Sequence, residues 1–212
     1  MRGLMQKDLC LLLQRSRVLV VLVGIAVLMG FSTDGSFVIG YLTMLCAILT
    51  IGTISYDEFD NGYPFLLTLP ITKKTYVNGK YLFCLLGGLA GWIISVAIFI
   101  GCSLMKGNTF APSDLLETIA FIPVLGLIIA FMLPLQLKYG AEKSRIAIML
   151  IGGGGWALGF FGMKLLPDTL QLPAMAANMR DCTVAVVLAA ICLAAFAVSY
   201  LVSLHIMEKK EF

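Results

Sequence analysis

The chain has 212 residues, of which 60% are hydrophobic and 13% are charged, whereas an average soluble domain has roughly 45–50% and 25%. Its 15 basic and 12 acidic residues give a net charge of +3. These few charges are placed so that long stretches contain none. This distribution excludes a soluble enzyme built around one ordinary core.

Six uncharged runs follow one another along the chain. They contain 16, 22, 25, 20, 18 and 26 residues, and a helix needs about 20 apolar residues to cross the hydrocarbon layer of a membrane. Backbone polar groups find no water in lipid, so these runs must be helical. We predict an all-α integral membrane protein with one transmembrane domain over residues 1–212 and spans near 18–33, 36–56, 81–105, 116–137, 146–164 and 183–206.

The first run could also be a cleaved signal peptide. Its basic leader is 17 residues long and contains a leucine-rich stretch, and no clear A-x-A cleavage site follows Gly30. Both features favour a retained span.

Basic residues are divided unequally between the two sides of the predicted membrane domain. Twelve fall in the two termini and in the second and fourth loops, and three fall on the other side. Because basic residues near span ends stay in the cytoplasm, both termini are predicted to be cytoplasmic. As membrane anchors, these residues give no reason to expect a nucleic acid partner.

The residues before the first span have the apolar spacing of an amphipathic helix. Lys7 and Asp8 lie mostly on its opposite side. We predict a helix that lies at the membrane interface; the alternative is an untidy extension of the first span. The apolar positions are Met5, Leu9, Leu12 and Leu13.

The segment between the second and third spans, residues 56–80, combines acidic and aromatic side chains. On a helix, its large apolar residues Tyr56, Phe59, Tyr63, Leu66 and Leu67 lie on one side within an arc of about 100°, while its first acids point elsewhere. Gly62-Tyr63-Pro64 is expected to bend this helix. We predict that the segment docks on a soluble partner. A helix lying on the lipid surface is the alternative, which the negative potential of the cytoplasmic leaflet disfavours.

The six uncharged runs contain no Asp, Glu, Lys or Arg, and His205 lies at the very end of the last run, which disfavours ion-driven transport and proton relays. Gly79-Lys80 is the only Gly-Lys pair, and it does not complete a phosphate-binding Walker A loop. The chain therefore lacks its own nucleotide site. Work done on a substrate must come from another chain.

Small residues mark two spans. Gly87-x-x-x-Gly91 predicts close packing within the bundle, whereas the glycine run in the fifth span predicts a pliable helix that faces a cavity or a second subunit. The run consists of Gly152, Gly153, Gly154, Gly155 and Gly159. Cys102 and Cys182 lie near external span ends and could pair, which spacing alone does not show. No metal or redox role is assigned.

The most specific motif is Ser55-Tyr56-Asp57-Glu58, followed by residues 66–74 (LLTLPITKK) and by Lys80-Tyr81. With the opening Lys7-Asp8-Leu9, it resembles the small permeases of type-2 ABC transporters related to phenol-soluble-modulin exporters, and the likeness covers the whole chain. The resemblance implies a single permease domain without a nucleotide-binding domain. It also implies six spans, a cytoplasmic coupling helix after the second span, and a re-entrant element between the fifth and sixth spans.

By the same resemblance, two permease chains, with a homodimer favoured, work with two ATPase chains that bind ATP and Mg in the bacterial cytoplasmic membrane. Asp57, Glu58 and Asp60 would meet the ATPase surface, while Phe59, Leu66 and Leu67 would fill its groove. The cargo would be amphipathic or hydrophobic, with peptides favoured. The full set of predicted coupling residues is Tyr56, Asp57, Glu58, Phe59, Asp60, Tyr63, Phe65, Leu66, Leu67 and Leu69.

Two other classes stay open. A substrate-capture subunit of an energy-coupling-factor importer has a similar size and span count, but it needs polar external loops that are sparse in this chain. An integral membrane enzyme needs clustered ionisable groups, and the predicted spans offer none.

Overall fold

The computed structural model describes residues 2–32, 35–58, 62, 72–106, 118–140, 143–144, 146 and 181–209. All of them are helical except Arg15, Gly52, Thr72 and Lys106. The main helices are α1 (Arg2–Gln14), α2 (Ser16–Ser32), α3 (Gly35–Ile51), α4 (Thr53–Glu58), α5 (Lys73–Met105), α6 (Thr118–Gly140) and α7 (Asp181–Lys209).

The predicted all-helical membrane class is confirmed. Within the described residues, four segments are long and apolar enough to cross a membrane, and α1 with α2 adds a fifth if that bent pair is counted as one span. The predicted fifth span, 146–164, lies outside the described residues apart from Ile146. The glycine run 152–159 lies outside them entirely.

Two helix breaks shape one end of the bundle. At Arg15 the chain turns by 65° between α1 and α2, and this angle fits a helix that lies at the interface before the first span. At Gly52 the helix of the second span is interrupted, and α4 continues it to Glu58. The amide of Gly52 still donates to the carbonyl of Ile48 at 2.9 Å, so the break is local.

Helix α5 begins earlier than the sequence predicts. Its N-cap is Thr72, whose hydroxyl accepts a hydrogen bond from the amide of Thr75 at 3.2 Å. Such a cap satisfies a donor that the first turn leaves free. Lys80, which the sequence analysis counted with the loop, is helical, because eight residues from Lys73 onward already belong to α5; the span bounds 81–105 stay a prediction.

Side-chain contacts give the relative directions of the helices. Thr43 meets Ser95 at 3.4 Å, and Thr50 lies against Gly87, so α3 and α5 are antiparallel. Helices α6 and α7 are parallel, because Cys192 donates to the carbonyl of Pro123 and Ser199, seven residues later, donates to that of Ala130.

Glycines on α5 allow these close approaches. A Cβ at Gly91 would overlap Cys46 of α3, and one at Gly88 would lie 2.6 Å from Leu125 of α6. The predicted role of Gly87 and Gly91 in packing within the bundle is confirmed. Near the C-terminal end of α5, Cys102 is a buried free thiol packed against Gly30. In this structure it is therefore not in a disulfide with Cys182.

Candidate functional site

Four charged residues form a cluster between α1, α4 and α5, which we call the charge cluster: Lys7, Asp8, Asp57 and Lys80. Lys80 is fully buried, and the two aspartates are 1% and 4% exposed. The Nζ of Lys80 donates to both carboxylate oxygens of Asp8 at 2.8 Å and lies 2.7 Å from Oδ2 of Asp57. Lys7 pairs with Asp57 and lies 3.5 Å from Asp8.

Neutral groups complete the surroundings of these charges. The hydroxyl of Tyr76 donates to Oδ2 of Asp57 at 2.8 Å, and Lys80 donates to Oγ1 of Thr53 at 3.3 Å. Two lysines and two aspartates leave the cluster with no net charge. Buried ions need both charge balance and hydrogen bonds to offset their desolvation, and this cluster provides both.

The charge cluster lies near one end of the bundle. Helix α5 has 33 residues and is therefore about 50 Å long, whereas the hydrocarbon layer is about 30 Å thick. Lys80 is about 38 Å along the axis from Met105, at 1.5 Å per residue. If the hydrocarbon layer begins at Met105, its thickness of about 30 Å ends before Lys80, which places the cluster outside the centre of the layer.

Three consecutive residues at the end of α4 contact three different parts of the chain. The Tyr56 ring lies 5.2 Å from the guanidinium carbon of Arg15, at the turn between α1 and α2. Asp57 enters the charge cluster. Glu58 covers Gly140 at the end of α6, where the backbone has a φ of +77° and a Cβ would overlap the carboxylate. The start of the predicted coupling segment is thus attached to α1, α5 and α6.

The predicted coupling residues are described only in part. Phe59, Asp60, Tyr63, Phe65, Leu66, Leu67 and Leu69 lie outside the described residues. Asp57 differs from the prediction that its side chain meets an ATPase, because its carboxylate is buried among cations of its own chain. Gly62 is helical and a Cβ there would lie 2.7 Å from the carbonyl oxygen of Asp57, so a larger residue would not fit there without rearrangement.

Helix α1 does not bury an apolar face and expose a polar one, as an ordinary amphipathic helix of a soluble protein does. Leu9 and Leu13 are about half exposed, whereas Leu4 and Asp8 face the bundle. Leu4 joins the main core with Ile51, and Asp8 binds Lys80. The apolar face therefore points away from the bundle, and the predicted interfacial placement stays a prediction. The remaining predicted positions are Met5 and Leu12, which are partly buried, and Lys7, which is in the charge cluster.

The sequence analysis missed Lys80 and Tyr76 as parts of a site. Tyr76, Lys80 and Cys84 are four residues apart and share the buried side of α5. This spacing places a lysine in the middle of an otherwise apolar stripe, a pattern that indicates a buried lysine with a partner.

Comparison with known families agrees with the membrane fold. The model of the ABC-2 family transporter proteins matches residues 3–208, which is almost the whole chain. No curated protein and no solved structure shows a significant match. The family match and the apolar helices support a membrane-spanning permease of an ABC exporter, and a permease of this kind has an ABC ATPase as partner. The chain belongs to the ABC-2 family of transporter proteins.

Proposed function

We propose that the chain is the permease of an ATP-driven exporter of amphipathic or hydrophobic peptides, working as a pair of chains with two separate ATPase subunits. The observation that carries this proposal is the attachment of Tyr56, Asp57 and Glu58 to three other parts of the bundle. A movement imposed on the segment that follows them would reach α1, α5 and α6 directly, as coupling to an ATPase requires.

The coupling element of this proposal is residues 56–69. Tyr56–Glu58 anchor it to the bundle, and Phe59, Asp60, Tyr63, Phe65, Leu66, Leu67 and Leu69 supply its contact with the ATPase. Since Asp57 is committed to the charge cluster, the acidic contacts with the ATPase would come from the residues after it.

The direction of α6 and α7 supports a six-span topology. Two parallel helices that follow each other in the chain need a connection that returns across the bundle. We assign that return to the predicted fifth span, 146–164. Among the described residues, most basic residues lie at the end of the bundle that holds α1, Lys73 and Lys209. By the positive-inside rule we propose that both termini are cytoplasmic, in the bacterial cytoplasmic membrane that the family resemblance implies.

Substitution of Phe59 by Asp tests the coupling element. In proteoliposomes that contain the permease and its ATPase, Phe59→Asp should lower ATP-dependent transport of a fluorescent amphipathic helical peptide at least tenfold, while peptide-stimulated ATP hydrolysis is lost. Phe59→Leu is the matched control and should keep most of both activities. A Phe59→Asp complex that assembles and keeps peptide-stimulated hydrolysis would show that the coupling element is misplaced.

A further inference from the structure

A cavity lies where the two helix breaks face each other, and we call it the elbow cavity. It has a volume of about 180 Å³ and lies between the turn joining α1 to α2 and the break between α3 and α4. Its walls are mainly aliphatic, and its polar residues come from both breaks: Arg15 from the first, and Thr53, Ser55 and Tyr56 from α4 after the second. The lining includes Leu11, Leu12, Arg15, Leu19, Ser55 and Tyr56.

Ser55 lines the elbow cavity, and its hydroxyl is buried without a hydrogen-bond partner among the described residues. Its side chain is 92% buried. A buried hydroxyl without a partner costs about 1–3 kcal/mol. The neighbouring Thr53 differs, because its hydroxyl donates to the carbonyl of Thr50 and accepts from Lys80. A ligand that accepts a hydrogen bond from Ser55 would remove this cost.

The charge around the elbow cavity favours an anion. Arg15 is a lining residue whose guanidinium carbon lies 5.2 Å from the ring centroid of Tyr56, another lining residue, and no acidic residue is among the described lining residues. The nearest buried acid along the chain, Asp57, is already paired with two lysines. The ligand-binding groups are therefore a cation and a hydroxyl donor, which is the combination that phosphate oxygens accept.

The apolar walls and the position of the elbow cavity narrow the ligand further. The turn at Arg15 joins the helix that is predicted to lie at the interface to the first predicted span, and such a junction lies at the level of lipid headgroups. Leu11, Leu12 and Leu19 can contact the glycerol and the upper acyl carbons of a phospholipid. Free phosphate has no such apolar part. We propose that the elbow cavity binds the phosphate of an anionic phospholipid through Arg15 and Ser55. The proposal requires that the chain lies in a membrane with the turn at Arg15 at headgroup level, and it does not depend on the cargo or the ATPase.

The test measures the affinity of the full-length chain for phosphatidylglycerol in detergent, by native mass spectrometry and by the lipid-induced rise in Tm, with phosphatidylcholine as reference lipid. Arg15→Gln should weaken phosphatidylglycerol binding at least tenfold, since a charge-assisted hydrogen bond contributes about 1.5–3 kcal/mol. Ser55→Ala should weaken it several-fold. Without added lipid, Ser55→Ala should unfold at the same temperature as the wild type or higher, which shows that its fold is intact.

Arg17→Gln is the matched control, because Arg17 is exposed on α2 two residues away and does not line the cavity. It should leave binding within twofold of the wild type. An equal loss in the Arg15 and Arg17 variants would assign the effect to general surface charge and overturn the site. Displacement of the lipid by excess inorganic phosphate would show a free-anion site instead. Unchanged lipid binding by the Ser55→Ala variant would also refute the proposal.

Discussion

Replacement of Lys80 by methionine removes the central cation of the charge cluster while keeping a side chain of similar length. Lys80 is fully buried and holds both oxygens of Asp8 as well as Asp57. Without it, two buried carboxylates share the single charge of Lys7, which is about one third exposed. Removing one partner of a buried pair costs about 3–5 kcal/mol.

Proton uptake sets an upper limit on this cost. Placing a proton on a carboxyl group of ordinary acidity at pH 7 costs about 4 kcal/mol, at 1.36 kcal/mol per unit of pH. The folded variant can therefore neutralise its unpaired carboxylate for no more than this amount. We expect Lys80→Met to lower the free energy of unfolding by about 3–4 kcal/mol. This loss is large, because the whole free energy of unfolding is typically about 5–15 kcal/mol.

The loss can be measured by denaturant titration of the purified chain in mixed micelles, with helix content followed by circular dichroism. Lys74→Met is the matched control, since Lys74 is 70% exposed and lies 3.8 Å from a half-exposed Glu208. Exposed pairs contribute about 0–1 kcal/mol, so this variant should be nearly as stable as the wild type.

A second substitution separates charge from packing. Lys80→Met with Asp8→Asn leaves Lys7 and Asp57 as a balanced pair, so the double variant should be more stable than Lys80→Met alone. Equal losses for Lys80→Met and Lys74→Met would refute the assignment of Lys80 as the centre of the cluster. Strict additivity of the two single losses would refute the charge-balance argument.

Two glycine substitutions test the close contacts, and the same titration measures both. Gly140→Ala should cost at least about 1–2 kcal/mol, because its φ of +77° is unfavourable for a side chain and the new methyl group would overlap Glu58. Gly91→Ala should cost about 1–3 kcal/mol by forcing α5 away from α3. Gly101 on α5, with nothing within 4 Å of its added Cβ, is the control for both. Its replacement by alanine should be neutral or stabilise by up to about 1 kcal/mol, and a Gly91 variant that matches it would contradict the packing.

The sequence predicted the helices well and the charge cluster poorly, for a physical reason. A transmembrane span is recognised by a continuous run of residues without charge, and this pattern is local in the sequence. The partners of Lys80 are 72 and 23 residues away, and no periodicity within one helix connects them. Lys80 follows Lys73 and Lys74 closely, so it was counted with the membrane anchors of the loop.

The same locality explains why the intramolecular partners of Asp57 were not predicted. An acidic residue beside aromatic side chains is typical of a docking surface, and only the position of α1 and α5 reveals that this acid has cations of its own chain to bind. The same comparison is not made for Asp60, because it lies outside the described residues. Its predicted contact with the ATPase therefore stays a prediction.

Helix geometry explains why the end of α4 contacts so many elements. Successive residues of an α-helix point about 100° apart, so Tyr56, Asp57 and Glu58 together face most of the circumference of α4. Each of the three side chains contacts a group of the same chain (Arg15, the charge cluster and Gly140), but only Asp57 is buried, and Tyr56 and Glu58 keep exposed surface. An outside partner can therefore reach α4 through Tyr56, Glu58 and the residues that follow, but not through Asp57. Any rotation of α4 that such a partner imposed would break a buried ion pair or move α1 and α5 with it, and the ion pair is the costlier contact to lose.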